Sequence, residues 1–233
     1  MQPTPPSLYR LLLGPAWASL APAVQRLHDN PAASPSPVRH ACGRFDVVPS
    51  GRWWGRLVAR CMGLPKPGRS QVLLLAIESD HRGETWRRSF DGEAFVTTQA
   101  FVTTRAFVTT RASAPAHDAA ALLLIERSGP VELHFRLGVE AGALVFQQVA
   151  CRVCLGAWRL PVPAWCAPRI AAKASAHDGP DAGPGGADGE GGVLVEVRVH
   201  APFLGELVRY GGVVVPQARR VPVDACVLAK EAR

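Results

Sequence analysis

From Gly129 to Val153 apolar and polar residues take turns along the chain. Val131, Leu133, Phe135, Leu137 and Val139 interleave with Glu132, His134, Arg136, Gly138 and Glu140. A period of two is the signature of a half-buried strand, since successive side chains point to opposite faces of a sheet. Ala141-Gly142 supplies a two-residue turn. With that turn Val139 lies opposite Leu144, Leu137 opposite Phe146 and Leu133 opposite Ala150, so one apolar face runs through both arms.

The same reading extends over residues 41–216. VLLLAIES, from Val72, is apolar on both faces, as suits a strand inside a sandwich or a lined barrel. Asp80 to Gly83 reads as a turn, ETWRRSF as a strand with Trp86, Arg88 and Phe90 on one face, and Asp91-Gly92 as a hairpin signal. ALLLIER (121–127), RIAAKAS and VLVEVRVH are further strands, the last with Val193, Val195, Val197 and Val199 inward. PFLGELVRYGGVVVP closes the sheet. LGAWRLPVPAWCAP (155–168) is Pro-rich and reads as a crossing loop or short helix. Residues 177–192, acidic and Gly-rich, read as a flexible connector. The predicted fold is mainly β: a curved antiparallel sheet or barrel of about 8–10 strands.

Apart from the short-helix option at 155–168, helical patterns fall in the first 62 residues. Residues 1–40 form a helical segment in two pieces, split at Pro15 and Pro22, that caps one end of the sheet. RWWGRLVARCMG, residues 52–62, is an amphipathic helix with Trp53, Trp54, Leu57, Val58 and Cys61 on one side and Arg52, Arg56 and Arg60 on the other. A basic amphipathic helix can lie on a membrane surface. The plainer expectation is that its apolar side packs on the sheet and its arginines are solvated. The tail, 217–233, has weak pattern.

AFVTTQ, AFVTTR and AFVTTR follow one another from Ala94 to Arg111. The unit is six residues, an even number, so Phe95, Phe101 and Phe107 would share one face of a continuous strand. Such a strand would be roughly 60 Å long at ~3.3 Å per residue, far beyond ordinary strands. One copy is therefore expected in the sheet, with the other two carried along as a tandem duplication that bulges out, forms an arm or is poorly ordered.

A chain of 233 residues with 48% hydrophobic residues is long and apolar enough for a good core. The net charge is +7, yet the basic residues are scattered singly or in pairs, which argues against nucleic acid as a partner. The apolar run from Leu11 to about Val24 lacks the charge and continuity of a signal peptide, and no run reaches the ~18–20 residues of a membrane span, so a cytoplasmic protein is expected. Six cysteines are too sparse for a disulfide scaffold. Cys151-x-x-Cys154 falls on a strand, where positions three apart point to opposite faces, so a metal site is not expected there.

No nucleophile elbow, phosphate loop, dinucleotide fingerprint or metalloprotease motif is present, and neither a cofactor nor a catalytic residue is assigned. Candidates for a binding site are side chains set among strand positions: Trp86, Arg88, Glu126, Glu132, His134, Arg136 and Tyr210, with Glu196 and Arg198 beside them. If His134 faces a cavity next to Glu132 or Arg136 it can orient a ligand or move a proton; facing solvent it does neither. Strands apolar on both faces favour an interior that binds a hydrophobic or lipid-like small molecule. An enzyme using Glu126, His134 and Arg136, and a protein-interaction module built on the basic helix and the Phe-rich repeat, are the alternatives.

The landmarks also occur in a characteristic order. LYRLLLG, VQRLH, G-x-F-x-V, the GLP after a helix, W-x-R-x-F, ER-x-GPVEL-x-F-x-L, LPVP and P-x-LGELVRYGG, from Leu8 to Pro216, resemble the bacterial family called domain of unknown function 4166. Two departures stand out: the repeated AFVTT units, and Tyr210-Gly211-Gly212 where the family has Tyr-Arg-Gly. Some relatives carry this domain joined to Rossmann-type oxidoreductase or membrane segments, so the resemblance implies an oxidoreductase partner. It carries over no catalytic residue.

Overall fold

The structure, a computed structural model, describes residues 7–29, 38–80, 83–104, 121–179 and 191–217. Eleven strands follow a helical opening. They are β1 (Val38–Pro49), β2 (Gly68–Asp80), β3 (Gly83–Phe90), β4 (Glu93–Thr104), β5 (Ala121–Ser128) and β6 (Val131–Glu140), then β7 (Ala143–Leu155), β8 (Trp158–Pro161), β9 (Arg169–His177), β10 (Gly192–Ala201) and β11 (Gly205–Gln217). All pairings are antiparallel. The order β6-β5-β4-β3-β2-β1-β11-β10-β9-β7 returns to β6 through the β6–β7 hairpin, so ten strands close a barrel and β8 hangs on the outer half of β7. Closure leaves no open edge in the ring.

The opening hairpin keeps its predicted register near the turn, with Val139 opposite Leu144 and Leu137 opposite Phe146. Ala141 and Gly142 both have positive φ, 49° and 79°, the geometry of a tight hairpin turn. Farther along a bulge between His134 and Phe135 inserts one residue, so Leu133 pairs with Cys151 rather than with Ala150. Gln148, beside the bulge, is used to join β7 to the start of β9. Its amide donates to Pro168 O at 2.7 Å and its carbonyl accepts from Ile170 N at 2.7 Å. β1 and β11 press together closely: a Cβ at Gly43 or Gly212 would run into the carbonyl oxygen of Val213 or Arg44.

Two expectations change here. β4 takes in two copies of the hexapeptide, not one, because its pairing with β5 continues to Thr104; the third copy lies outside the described residues. The segment 155–168, expected as a crossing loop or short helix, contributes a short strand, β8.

One end of the barrel is covered by α1 (Leu8–Leu13), a 3-10 turn (Gly14–Ser19) and α2 (Pro22–His28). Ser7 caps α1 by accepting from Arg10 N, and Pro15 and Pro22 each occupy a helix first turn. Leu8, Tyr9, Leu13, Trp17, Val24 and Leu27 are buried on the barrel mouth. Backbone carbonyls and amides help tie the cap to the wall. Ala21 N donates to Gly142 O at 2.9 Å, and Arg39 on β1 donates to the carbonyls of Leu27 and Asp29 at the end of α2. The strand directions put the β6–β7 turn at this capped end. The β1–β2, β7–β9 and β10–β11 connections therefore fall at the other.

The β1–β2 connection carries α3 (Trp53–Cys61). Its arginines are solvated, as expected, but the tryptophans of its apolar side do not pack on the sheet. Gly55 is buried, while Trp53, Trp54, Leu57 and Cys61 are exposed. Among the described residues no helix is long and apolar enough to cross a membrane.

Candidate functional site

The barrel encloses a cavity of about 140 Å³. It runs from Tyr9 and His28 under the helical cap to Met62 and Leu64, just past α3, at the other end. Its walls are mostly the inward residues that alternation places there, including Leu75, Phe90, Phe135, Phe146, Val197 and Val214.

A compact polar group interrupts this apolar lining. Trp86 and Arg88 alternate on β3, Thr97 and Gln99 on β4, and Glu126 comes from β5, directly opposite Gln99. Arg88 Nη1 donates to Thr97 Oγ1 at 2.9 Å, and its guanidinium reaches Glu126 Oε1 at 3.4 and 3.5 Å. The guanidinium also lies over the rings of Trp86 and Phe95, at 5.1 and 5.6 Å. Tyr9 Oη donates to Gln99 Oε1 at 2.7 Å. Behind Trp86, the buried Glu84 accepts from its indole N–H at 3.0 Å and from Arg39 at 2.7 Å. Burial raises the Glu84 carboxyl above its usual range, against the opposing pull of Arg39.

Charge inside the cavity is balanced or suppressed. Burial pushes the Tyr210 phenol up to about 12, with Arg88 lowering it and Glu126 raising it. Burial, aided by Glu84 and Glu126, holds Tyr9 well above its ordinary value. His28 is the sharpest case. It is 2% exposed and packed at a tilt against Tyr9 and Trp86, with ring centroids 4.2 and 5.5 Å away. Burial first, and then the Arg39 charge, lower its pKa to about 3. Among the described residues neither of its ring nitrogens has a hydrogen-bond partner.

Of the predicted residues, Trp86, Arg88, Glu126 and Tyr210 meet in the cavity. Glu132, His134 and Arg136 do not join them. They alternate with the inward Val131, Leu133 and Phe135 and so occupy the outer side of β6. Arg136 is exposed there, as are Glu196 and Arg198 on β10. Glu132 accepts from His134 Nε2 at 2.8 Å and from Arg127 at 2.6 and 2.8 Å, with Arg152 and Arg159 at 3.8 and 3.9 Å. No part of its surface is exposed, although it lies close beneath the outside of the wall. Desolvation raises its pKa, but the bonds from His134 and Arg127 and the Arg127 charge outweigh it and hold the carboxyl below its ordinary value. A catalytic group of Glu126, His134 and Arg136 would need one concavity; here Glu126 is separated from the other two by the barrel wall.

Cys151 points inward, its thiol pushed up to about 11 by burial and by Cys166. Cys154 points outward to Glu132 at 3.9 Å. Among the described residues no three His, Cys, Asp or Glu side chains gather as a metal site.

Tyr9, His28, Thr97 and Gln99 were not singled out in the sequence. His28 did leave a trace, since it follows Val24 by four positions and so sits on the apolar stripe of α2. Gln99 lies within the repeat, whose alternation with Phe95 and Thr97 already placed all three on one face.

The protein is thus a closed ten-stranded antiparallel barrel, capped by helices at one end, with an apolar cavity and one inward polar cluster. Residues 20–214 match the model of the family described as Domain of unknown function (DUF4166), and the chain belongs to that family. No curated protein and no solved structure matches it.

Proposed function

We propose that the barrel is a non-enzymatic binder of a small, uncharged, mainly apolar molecule carrying one hydrogen-bonding group. The observation that carries this reading is His28: a buried imidazole beside free space with both nitrogens unpartnered among the described residues. Such a group costs about 1–3 kcal/mol unless something satisfies it. A guest hydroxyl or carbonyl would do so, and the Tyr210 hydroxyl, which makes no hydrogen bond within the described residues, offers a second contact. Size supports a small guest, since an apolar cavity of about 150 Å³ accepts a molecule like benzene. Electroneutrality supports an uncharged one: Arg88 and Glu126 offset each other, and His28 and both phenols are neutral at pH 7.

The test is native mass spectrometry of protein purified from its own host, followed by uptake of a benzene-sized apolar probe by the emptied protein. A bound neutral mass, or probe uptake abolished by Ala172→Phe, which fills the cavity from a position on its wall, is the expected result. A bare protein that takes up no probe overturns the reading, as does uptake undiminished by Ala172→Phe.

A further inference from the structure

The end of the barrel away from the helical cap carries an unusual surface. Four of the six tryptophans point to solvent there or nearly so. Trp53 and Trp54 on α3 are 56% and 55% exposed, and Trp158 and Trp165 in the β7–β9 connection are 72% and 68% exposed. Leu57, Leu155, Leu160 and Phe203 add to them, the last on the β10–β11 turn and 82% exposed. α3 and Phe203 stand on one side of the rim, since β1 and β11 are neighbours. The β7–β9 connection lies farther along the same rim, next to β10 and three to four strands from β1. Large exposed apolar side chains gathered at one pole of a barrel mark an interaction site.

Why is α3 turned this way? It packs through its small face: Gly55 is buried, and Val58, Ala59 and Met62 pack on the core. A Cβ at Gly55 would come within 2.7 Å of Ser50 Cβ and 3.7 Å of Leu207 Cδ2, so the glycine sets how closely the helix lies on the barrel. At 3.6 residues per turn this leaves two outward sectors side by side, one of Trp53, Trp54 and Leu57, the other of Arg52, Arg56 and Arg60. A short helix with aromatic and aliphatic residues beside a row of arginines is suited to the boundary between lipid headgroups and acyl chains.

Charge selects among partners. The stretches 50–66, 155–169 and 201–205 contain Arg52, Arg56, Arg60, Lys66, Arg159 and Arg169 and no Asp or Glu. Of the carboxylates on neighbouring strands and turns, Asp91 accepts from Val72 N, Asp46 accepts from Ser70 N, Glu93 pairs with Lys66, the buried Glu132 lies 3.9 Å from Arg159, and Glu206 stands at the start of β11. Tryptophan favours the interfacial layer and arginine the anionic headgroups.

We infer that this pole of the barrel docks on an anionic lipid membrane, with Trp53, Trp54, Trp158 and Trp165 seated among the headgroups and the arginines on their phosphates. Docking would bring Met62 and Leu64, at the cavity's far end, close to the bilayer. The inference does not require the cavity to hold a guest, and Ala172→Phe is expected to dock as the unmodified protein does.

The test is flotation with vesicles of phosphatidylcholine containing about 30% phosphatidylglycerol, against vesicles of phosphatidylcholine alone, at ~0.1 M salt. Expected are binding to the anionic vesicles with a blue shift of tryptophan emission, and weakening by about tenfold in Trp53→Ala/Trp54→Ala and in Arg56→Glu/Arg60→Glu. These side chains are exposed, so both variants should keep the wild-type circular dichroism and melting temperature. Absence of binding to either vesicle overturns the inference and leaves the surface to a protein partner or a second copy. Equal binding to both vesicles, or binding undiminished in the variants, overturns it too.

Discussion

His28 gives the most direct test of the interior. With its folded-state pKa near 3 and an ordinary value of 6.5, the unfolded chain takes up a proton below 6.5 that the folded protein refuses until about pH 3. Stability therefore falls as pH falls through that window, and is free of this penalty above it. Between pH 7 and pH 5 the loss is about 2 kcal/mol, at 1.36 kcal/mol per pKa unit; the folded value matters only nearer its own pH. His28→Leu, of similar size, has no proton to gain and no nitrogen to leave unpaired. At pH 7 the empty variant should be more stable than the parent by about 1–3 kcal/mol. On going to pH 5 the gap should widen by the further ~2 kcal/mol. Urea denaturation followed by tryptophan fluorescence at both pH values measures this from the midpoints. Parallel losses in the two proteins would refute the reasoning, because they would mean that the imidazole is already protonated or solvated in the folded state.

Arg39→Ala removes the partner of a buried carboxylate and two hydrogen bonds to the end of α2, so a loss of about 3–5 kcal/mol is expected in the same urea assay. Glu132→Gln should be destabilising at neutral pH. Because the Glu132 pKa is lowered on folding, its contribution is present above the ordinary carboxylate range and disappears as pH falls through the folded value, so the deficit should close in acid-side melting curves. Ala141→Asn, at φ 49° in the β6–β7 turn, relieves a left-handed alanine and should raise stability by about 1 kcal/mol, read as a higher melting temperature.

The barrel was legible because its strands alternate, and a closed ring buries one face of every strand while leaving no open edge. The inward half of the site was legible for the same reason: Trp86, Arg88, Glu126 and Tyr210 share the parity of the apolar residues around them. Parity also separates Glu132, His134 and Arg136 from that group, since Val131, Leu133 and Phe135 cannot face inward if they do. The conspicuous polar residues of β6 belong to its outer face. The bulge beside His134 left no mark in a pattern that reads sensibly in either register. His28 and Tyr9 enter from helices remote in sequence, and nothing local says that a cap will reach into the cavity. α3 is the instructive failure. Its amphipathic pattern identifies an apolar sector, and the usual inference is that the most apolar sector is the buried one. What decides is how near the backbone can come to the barrel. Gly55 and Ala59 allow close approach where two tryptophans would hold the helix away, so the small face packs and the large apolar face is left outside. An exposed face of that kind, next to arginines and without nearby acidic residues in its own segment, argues that burial of those tryptophans happens on docking rather than on folding.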